Sequence, residues 1–253
     1  VTTPVAERVL SDSEAFNFAA FDTWNIIEEI VGVNPDKLLL WGPPGTGKST
    51  VCQTVALGGR KCYPITMTEE MPAEVLKGHL IPIGNEFQWM DGMGTAAMRT
   101  NPITGLAGRL VVNEIDKACG DALDILNLFC DDPAVAELTL PKQDLEVVKP
   151  GFGYQVFACM NGHPSTLSEA LQDRFPATIP VEEVNEAAIK RLPEDLQSVA
   201  RVSSIASGQR RVGIRKWMMF ASLREKLSAP IAAFACFGRD GATVLAQIEM
   251  ANK

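Results

Sequence analysis

Histidine is scarce in this sequence: only His79 and His163 occur, far apart, and none of the six cysteines form a Cys-x-x-Cys pair. No zinc site of ordinary ligand spacing is therefore expected. The cysteines (Cys52, Cys62, Cys119, Cys130, Cys159 and Cys236) sit mostly inside apolar runs, as reduced, buried residues of a cytoplasmic protein would. Long apolar runs are missing as well. The most apolar late stretch, "APIAAFACF" (Ala229–Phe237), is far shorter than the roughly 20 residues a bilayer-crossing helix needs. The first residues lack a basic region followed by an apolar one, so no signal peptide is expected. Positive charge is also in deficit, with 23 Lys and Arg against 31 Asp and Glu and a formal net charge of -8. That balance argues against a dedicated binder of nucleic acid or of an anionic membrane. Repeats and low-complexity tracts are absent.

What is present is a soluble, core-forming composition, 46% apolar and 21% charged over 253 residues, long enough for one large domain and a small one. "DSEAFNFAAFDTWNIIEEIVG" (Asp12–Gly32) places Phe16, Ala20, Trp24, Ile27 and Val31 at helical spacing, with Gly32 to end the helix. Strands are predicted at Leu38–Trp41, Lys61–Met67, Arg109–Asn113, Gly153–Asn161 and Ala177–Val181. A hairpin over His79–Met93 turns at Gly84-Asn85. Beyond Val181 the pattern is helical only: Pro193 interrupts one helix, Gly213–Leu227 is amphipathic, and Asp240 is placed to cap a last helix through Met250. Strands alternating with helices, then helices alone, predict an α/β fold. Its parallel sheet, sandwiched by helices, would occupy residues 1–181, with a small all-helical lid domain over 182–253. Buried parallel strands explain why "LLLW" and "LVV" are apolar without alternation.

The first chemical motif is "GPPGTGKST", which fits G-x-x-x-x-G-K-[ST] between an apolar strand and a helix. Glycines let backbone N–H groups converge on phosphate oxygens, and the following helix adds its positive end. Gly42, Pro43, Pro44, Gly45, Thr46, Gly47, Lys48, Ser49 and Thr50 are thus the candidate nucleotide-binding residues. Lys48 would reach the β and γ phosphates, and the Ser49 hydroxyl would ligate Mg²⁺.

Binding alone is not hydrolysis, which needs a carboxylate at a neighbouring strand end and a second to orient water. "LVVNEID" offers Asn113, Glu114 and Asp116, although a plain strand running into a charged loop reads the same way. "FACMNGHP" puts Asn161 at another strand end, where asparagine before glycine also suits an ordinary turn. "LSEALQDRF" ends a short helix in Asp173-Arg174-Phe175; a surface ion pair between those neighbours is the plain alternative. Arg210, Arg211, Arg215 and Lys216 cluster later, and a solvated helix face would look the same.

Together, "GPPGTGKST", "VVNEIDKA", "FACMNGHP", "LSEALQDRF" and "RVGIRKW", in this order from Leu38 to Leu227, resemble the AAA+ ATPases and within them the MoxR-like group. "EEMPAEVLKG" and the hairpin after it are weaker echoes. The resemblance implies ATP and Mg²⁺ as ligands, Gly42–Ser49 as the Walker A loop and Glu114 as the catalytic glutamate. Asn161 would be the first sensor and Arg215 the second. Arg174 would be an arginine finger acting on the nucleotide of the next subunit, neutralising charge on the transferring phosphate. It also implies a homo-oligomeric, hexameric ring acting on a protein client or adaptor, with nucleic acid not favoured and no membrane. Phe87 and Trp89, two apart on the hairpin, would share one face, either as a grip at the ring's channel or as packing against the domain.

One position departs from the pattern. The family reads Asp-Glu where this chain reads Asn113-Glu114, with Asp116 two residues on. An amide still accepts a hydrogen bond from a metal-bound water but lacks the charge that strengthens it. Slow turnover with weakened Mg²⁺ affinity is one expectation. Asp116 supplying the missing charge, simple tolerance of Asn113, and a nucleotide-gated scaffold with little hydrolysis are the others. A small-molecule phosphotransferase lacks an evident acceptor pocket, and a DNA-directed motor is a minor alternative.

Overall fold

The computed structural model describes residues 23–141, 145–205 and 211–252. The early part of the predicted N-terminal helix, with Phe16 and Ala20, and Arg210 lie outside the described residues. Helix α1 (Thr23–Gly32) buries Trp24, Ile27 and Val31, the positions that the 3.6-residue period selects. Strand β1 (Lys37–Trp41) feeds the glycine loop, and α2 (Lys48–Thr54) follows it; β2 (Cys62–Thr66) comes next. A short helix α3 (Glu74–Lys77) leads into the hairpin β3 (Gly78–Ile83) and β4 (Glu86–Asp91), then α4 (Met93–Met98). The order continues with β5 (Arg109–Asn113), α5 (Gly120–Phe129), β6 (Leu138–Thr139), β7 (Val147–Val148), β8 (Gln155–Met160), α6 (Glu169–Arg174) and β9 (Thr178–Pro180). Five helices close the described chain: α7 (Glu186–Ile189), α8 (Glu194–Ile205), α9 (Ile214–Arg224), α10 (Ala229–Phe237) and α11 (Gly241–Ala251).

Among the described residues the central sheet has the order β2-β5-β8-β1-β9, with every pairing parallel. Successive residues of its strands feed opposite faces. Leu39, Leu110, Val112, Val156 and Ala158 belong to one apolar cluster, and Leu38, Leu40, Val111 and Phe157 to another. Both faces are therefore covered, which is why these strands tolerate no polar alternation. A separate cluster built on Leu196, Ile214, Trp217, Phe220, Ala233 and Val244 unites the C-terminal helices. The fold is α/β, a helix-flanked parallel sheet followed by a helical segment with its own apolar cluster.

One charged residue lies wholly inside the sheet region. Arg109, at the start of β5, is 0% exposed. Its guanidinium donates to the carbonyls of Cys52, Val55 and Ala56 at 2.9, 2.7 and 3.0 Å and to Gln155 Oε1 at 2.9 Å. It also stacks 4.1 Å from the Phe157 ring centroid. The carbonyls that end α2 thus find a cationic partner where the helix leaves them unpaired.

The hairpin runs from Gly78↔Asp91 to Ile83↔Glu86. Positive φ is confined to Gly84 of the two loop residues, the pattern of a II′ turn. Phe87 and Trp89 share a face but not an environment. Phe87, near the tip, is 73% exposed, whereas Trp89 packs against the sheet's apolar cluster and donates to Asp91 Oδ1 at 2.8 Å.

Some expectations needed correction. The β6–β7 ribbon, pairing Leu138↔Val148 and Thr139↔Val147, was not foreseen, because two-residue strands carry no period. Asp240 does precede α11, but its carboxylate makes no capping bond: the Gly238–Asp240 turn keeps the backbone helical there, not extended as a cap requires. No helix among the described residues is long and apolar enough to cross a membrane.

Candidate functional site

The loop after β1 is shaped by its own backbone demands. At Gly42 φ is +136°, and a Cβ would lie 2.4 Å from the Val181 carbonyl oxygen, so the residue just after β9 leaves room only for glycine. Gly47 has φ +112°, the conformation that turns the chain into α2. Thr46 is fully buried; its hydroxyl donates to the Pro43 carbonyl, and its own carbonyl accepts from Asn185 N at 3.1 Å. Lys48 Nζ folds back over the loop, donating to the carbonyls of Gly42 at 2.8 Å and Pro43 at 2.7 Å. Burial lowers its pKa to about 8, with the charges of Arg211 and Arg215 pushing the same way against the opposing pull of Cys159.

A cavity of about 760 Å³ opens over this loop, within the range of small-molecule sites. Its walls include Pro44, Gly45, Gly47, Lys48, Ser49 and Thr50 from the loop and α2. Thr66, Asn113, Glu114, Cys159, Met160 and Asn161 come from the carboxyl ends of β2, β5 and β8, and Asn185, Arg191, Ile214, Arg215 and Met218 from the helical segment. Parallel register aligns these ends, with Thr66↔Asn113, Asn113↔Cys159 and Trp41↔Met160 as Cα partners. Outside the carboxyl ends is where open α/β sheets bind ligands. Gly42, Pro43 and Thr46 are not among the lining residues; they brace the loop and hold Lys48.

Asn113 lies with its Nδ2 donating to the Ile65 carbonyl at 3.2 Å, while its Oδ1 is buried without a partner. Such an orphan acceptor in a cavity wall suits a donor brought by a ligand, such as a metal-bound water. Glu114 sits in the left-handed region, φ 54° and ψ 45°, a conformation that costs a non-glycine residue about 1 kcal/mol. Its carboxylate pairs with Lys117. Asp116 lies on the exposed turn beyond and is absent from the cavity wall.

Arg174 is not in this wall. At the end of α6 its guanidinium donates to the Ala170 carbonyl at 2.9 Å and to Asp131 Oδ2 at 3.3 Å, leaving Nε buried and unpaired. The plain reading of an ion pair with Asp173 is thus corrected: the partner is Asp131, beyond the end of α5. Of the later basic cluster, Arg215 faces the cavity, and Arg211 donates to the Glu182 carbonyl at 2.6 Å.

Sequence reasoning missed Thr66, Asn185 and Arg191. Thr66 carried a usable signal, a hydroxyl ending an apolar strand. Arg191 stood in a helical segment with no motif around it. A second, shallower groove of about 480 Å³ runs along the hairpin base beside Leu80, Trp89 and Asp121, and Lys48, Asn113, Glu114, Asn161 and Arg215 are not among its lining residues.

Comparison with known proteins gives one family. Residues 37–175, more than half of the chain, match the model of the AAA domain, dynein-related subfamily. Among solved structures, the chain is similar to a "putative ATPase" from Cytophaga hutchinsonii, with 17% identity and a TM-score of 0.45 over 76% of this chain. The match spans 54% of that structure's own length. No curated protein matches the chain.

Proposed function

Since the chain belongs to the dynein-related subfamily of AAA domains, we propose that it is a MoxR-like ATPase that binds ATP and Mg²⁺ and uses hydrolysis to remodel or assemble a protein partner. The observation that carries this reading is the single cavity wall shared by Lys48, Ser49, Asn113, Glu114, Asn161 and Arg215. In it, the loop amides and Lys48 bind the phosphates, the ammonium exchanging the Gly42 and Pro43 carbonyls for phosphate oxygens. Ser49 and Asn113 are the residues to hold the divalent cation, which when bound neutralises phosphate charge. Glu114 orients and deprotonates the attacking water, and doing so requires it to release Lys117. Asn161 and Arg215 hydrogen-bond the terminal phosphate from the sheet and from the lid.

Arg174 completes the site of an adjoining copy in this reading, which supports a closed homo-oligomer, a hexameric ring, in the cytoplasm. The division into a nucleotide-binding unit, 1–181, and a lid, 182–253, belongs to the same proposal. ATP between the two would couple hydrolysis to lid motion. Phe87 at the exposed hairpin tip is the contact offered to a client.

A nucleotide-gated scaffold is the second reading, favoured by the amide at Asn113. Phosphate release measured together with native oligomer mass separates them, with Arg174→Ala as control. Turnover that requires the oligomer and Arg174 supports the ATPase; ATP-dependent rings without phosphate release support the scaffold.

A further inference from the structure

Two thiols face each other behind the phosphate loop. Cys52 Sγ in α2 and Cys159 Sγ in β8 are 3.6 Å apart, although 107 residues separate them in the chain. Both side chains are buried, but they are not equivalent: Cys159 forms part of the cavity wall, and Cys52 does not. The Lys48 ammonium is within electrostatic reach of both sulfurs. A small oxidant entering the cavity therefore meets Cys159 first, with Cys52 poised directly behind it.

We propose that Cys52 and Cys159 are a reversible modification site, forming a disulfide when hydrogen peroxide enters the nucleotide-free cavity, and that this bond turns nucleotide away. The chemistry balances in two steps. The Cys159 sulfur attacks the peroxide, the O–O bond breaks, and Cys159 becomes a sulfenic acid as one water leaves. The Cys52 sulfur then attacks the Cys159 sulfur; the S–O bond breaks and its oxygen departs with the Cys52 proton as a second water. Together the thiols lose two protons and two electrons, and the peroxide is reduced to water.

Geometry supplies the consequence. The sulfurs must close from 3.6 Å to about 2.05 Å, drawing α2 and β8 together. The far end of α2 is held by Arg109 through the Cys52, Val55 and Ala56 carbonyls. With the Cys52 carbonyl itself held, the displacement falls on Cys159 and on Met160 and Asn161 beyond it in the cavity wall. Hydrogen bonding to Cys159 and burial raise the Cys52 pKa, so the bond forms more slowly than at an exposed, acidic thiol. The effect on affinity and the protection by ATP-Mg²⁺ rest on the proposed nucleotide site; bond formation itself does not.

The test uses the whole protein, treated with hydrogen peroxide, alkylated with iodoacetamide and mapped by mass spectrometry without reduction. The expected result is a Cys52–Cys159 linked peptide, removed by dithiothreitol. It should form about tenfold more slowly with ATP-Mg²⁺ present at ten times its Kd. The oxidised protein should bind nucleotide at least about tenfold more weakly, the scale of one lost hydrogen bond to a phosphate. Cys52→Ser, or Cys52→Ala if the serine variant folds poorly, should keep the affinity of the reduced protein and yield no linked peptide. The proposal is overturned if exposed Cys119 is oxidised while Cys52 and Cys159 both remain alkylatable, or if the linked protein binds nucleotide unchanged. Failure of the reduced protein to bind nucleotide would instead defeat the proposed function, while the linked peptide still reports on the bond.

Discussion

Asn113 and Ile65 share a hydrogen bond that a carboxylate in the same place could not make: the amide Nδ2 donates to the Ile65 carbonyl at 3.2 Å. That bond also fixes which way the amide points, since a flip would set one carbonyl oxygen against another. The buried, unpartnered Oδ1 is therefore the atom left to accept from a ligand in the cavity.

Replacing Asn113 by Asp separates two effects. The variant loses the bond to Ile65 and gains charge beside the metal position. Stability should fall by about 1 kcal/mol, a drop in Tm of about 3 °C for a chain of this size. The Mg²⁺ concentration for half-maximal turnover should fall severalfold, because a formal charge holds a metal-bound water more strongly than an amide does. Differential scanning fluorimetry and a Mg²⁺ titration of phosphate release read the two independently. An unchanged Mg²⁺ requirement would mean that Asn113 takes no part in holding the cation.

Lys48 gives the site a pH dependence whose sign is fixed. Its pKa of about 8 lies below the ordinary 10.5 because burial penalises the ammonium. Phosphate binding raises it again. Below pH 8 the lysine is charged with or without ligand, and affinity is flat. Above pH 8 binding must take up a proton, so affinity should fall by up to about tenfold per pH unit. The folding term runs the other way: between pH 8 and 10.5 the unfolded chain holds more protons, so the burial penalty, present in full below pH 8, fades as pH rises. Nucleotide titrations from pH 7 to 9.5 check the first statement; an affinity that stays constant across that range would contradict it.

Arg174 and Glu114 should complement each other in trans. Arg174→Ala leaves each protomer's nucleotide affinity intact and lowers kcat by about 1,000-fold, the scale of a lost arginine finger. Glu114→Gln also binds nucleotide without turning it over. Mixing the two inactive variants should restore measurable turnover, because rings then contain interfaces with both groups intact. Mixtures that stay silent would place Arg174 in a purely structural role with Asp131.

Arg109 should be worth more to stability than any surface charge. Arg109→Met leaves the carbonyls of Cys52, Val55 and Ala56 without their donor in a buried place, a loss of about 3 kcal/mol. Lysine should recover only part of it, since one ammonium lacks the span of the guanidinium fork. Equilibrium denaturation measures both.

Legibility in the sequence followed physical range. The phosphate loop and the strands β1, β5 and β8 were readable because buried parallel strands are continuous apolar runs and the loop chemistry is local. The positions of Asn113, Glu114 and Asn161 followed from strand ends alone. Contacts across the chain were not readable. Asp131 reaches Arg174 over 43 residues, and nothing in the sequence marks the burial of Arg109, because its partners are mostly carbonyls, which leave no trace in residue type. Phe87 and Trp89 show the limit of a two-residue period: it assigns a shared face but not how far each side chain stands from the core.

The most direct measurement is calorimetric titration of the whole protein with a non-hydrolysable ATP analogue and Mg²⁺, beside Lys48→Ala. Saturable binding near one nucleotide per chain, lost in the variant, is the predicted result. Absence of binding to the unaltered protein, or equal binding to the variant, would contradict the assignment of this cavity to a nucleotide.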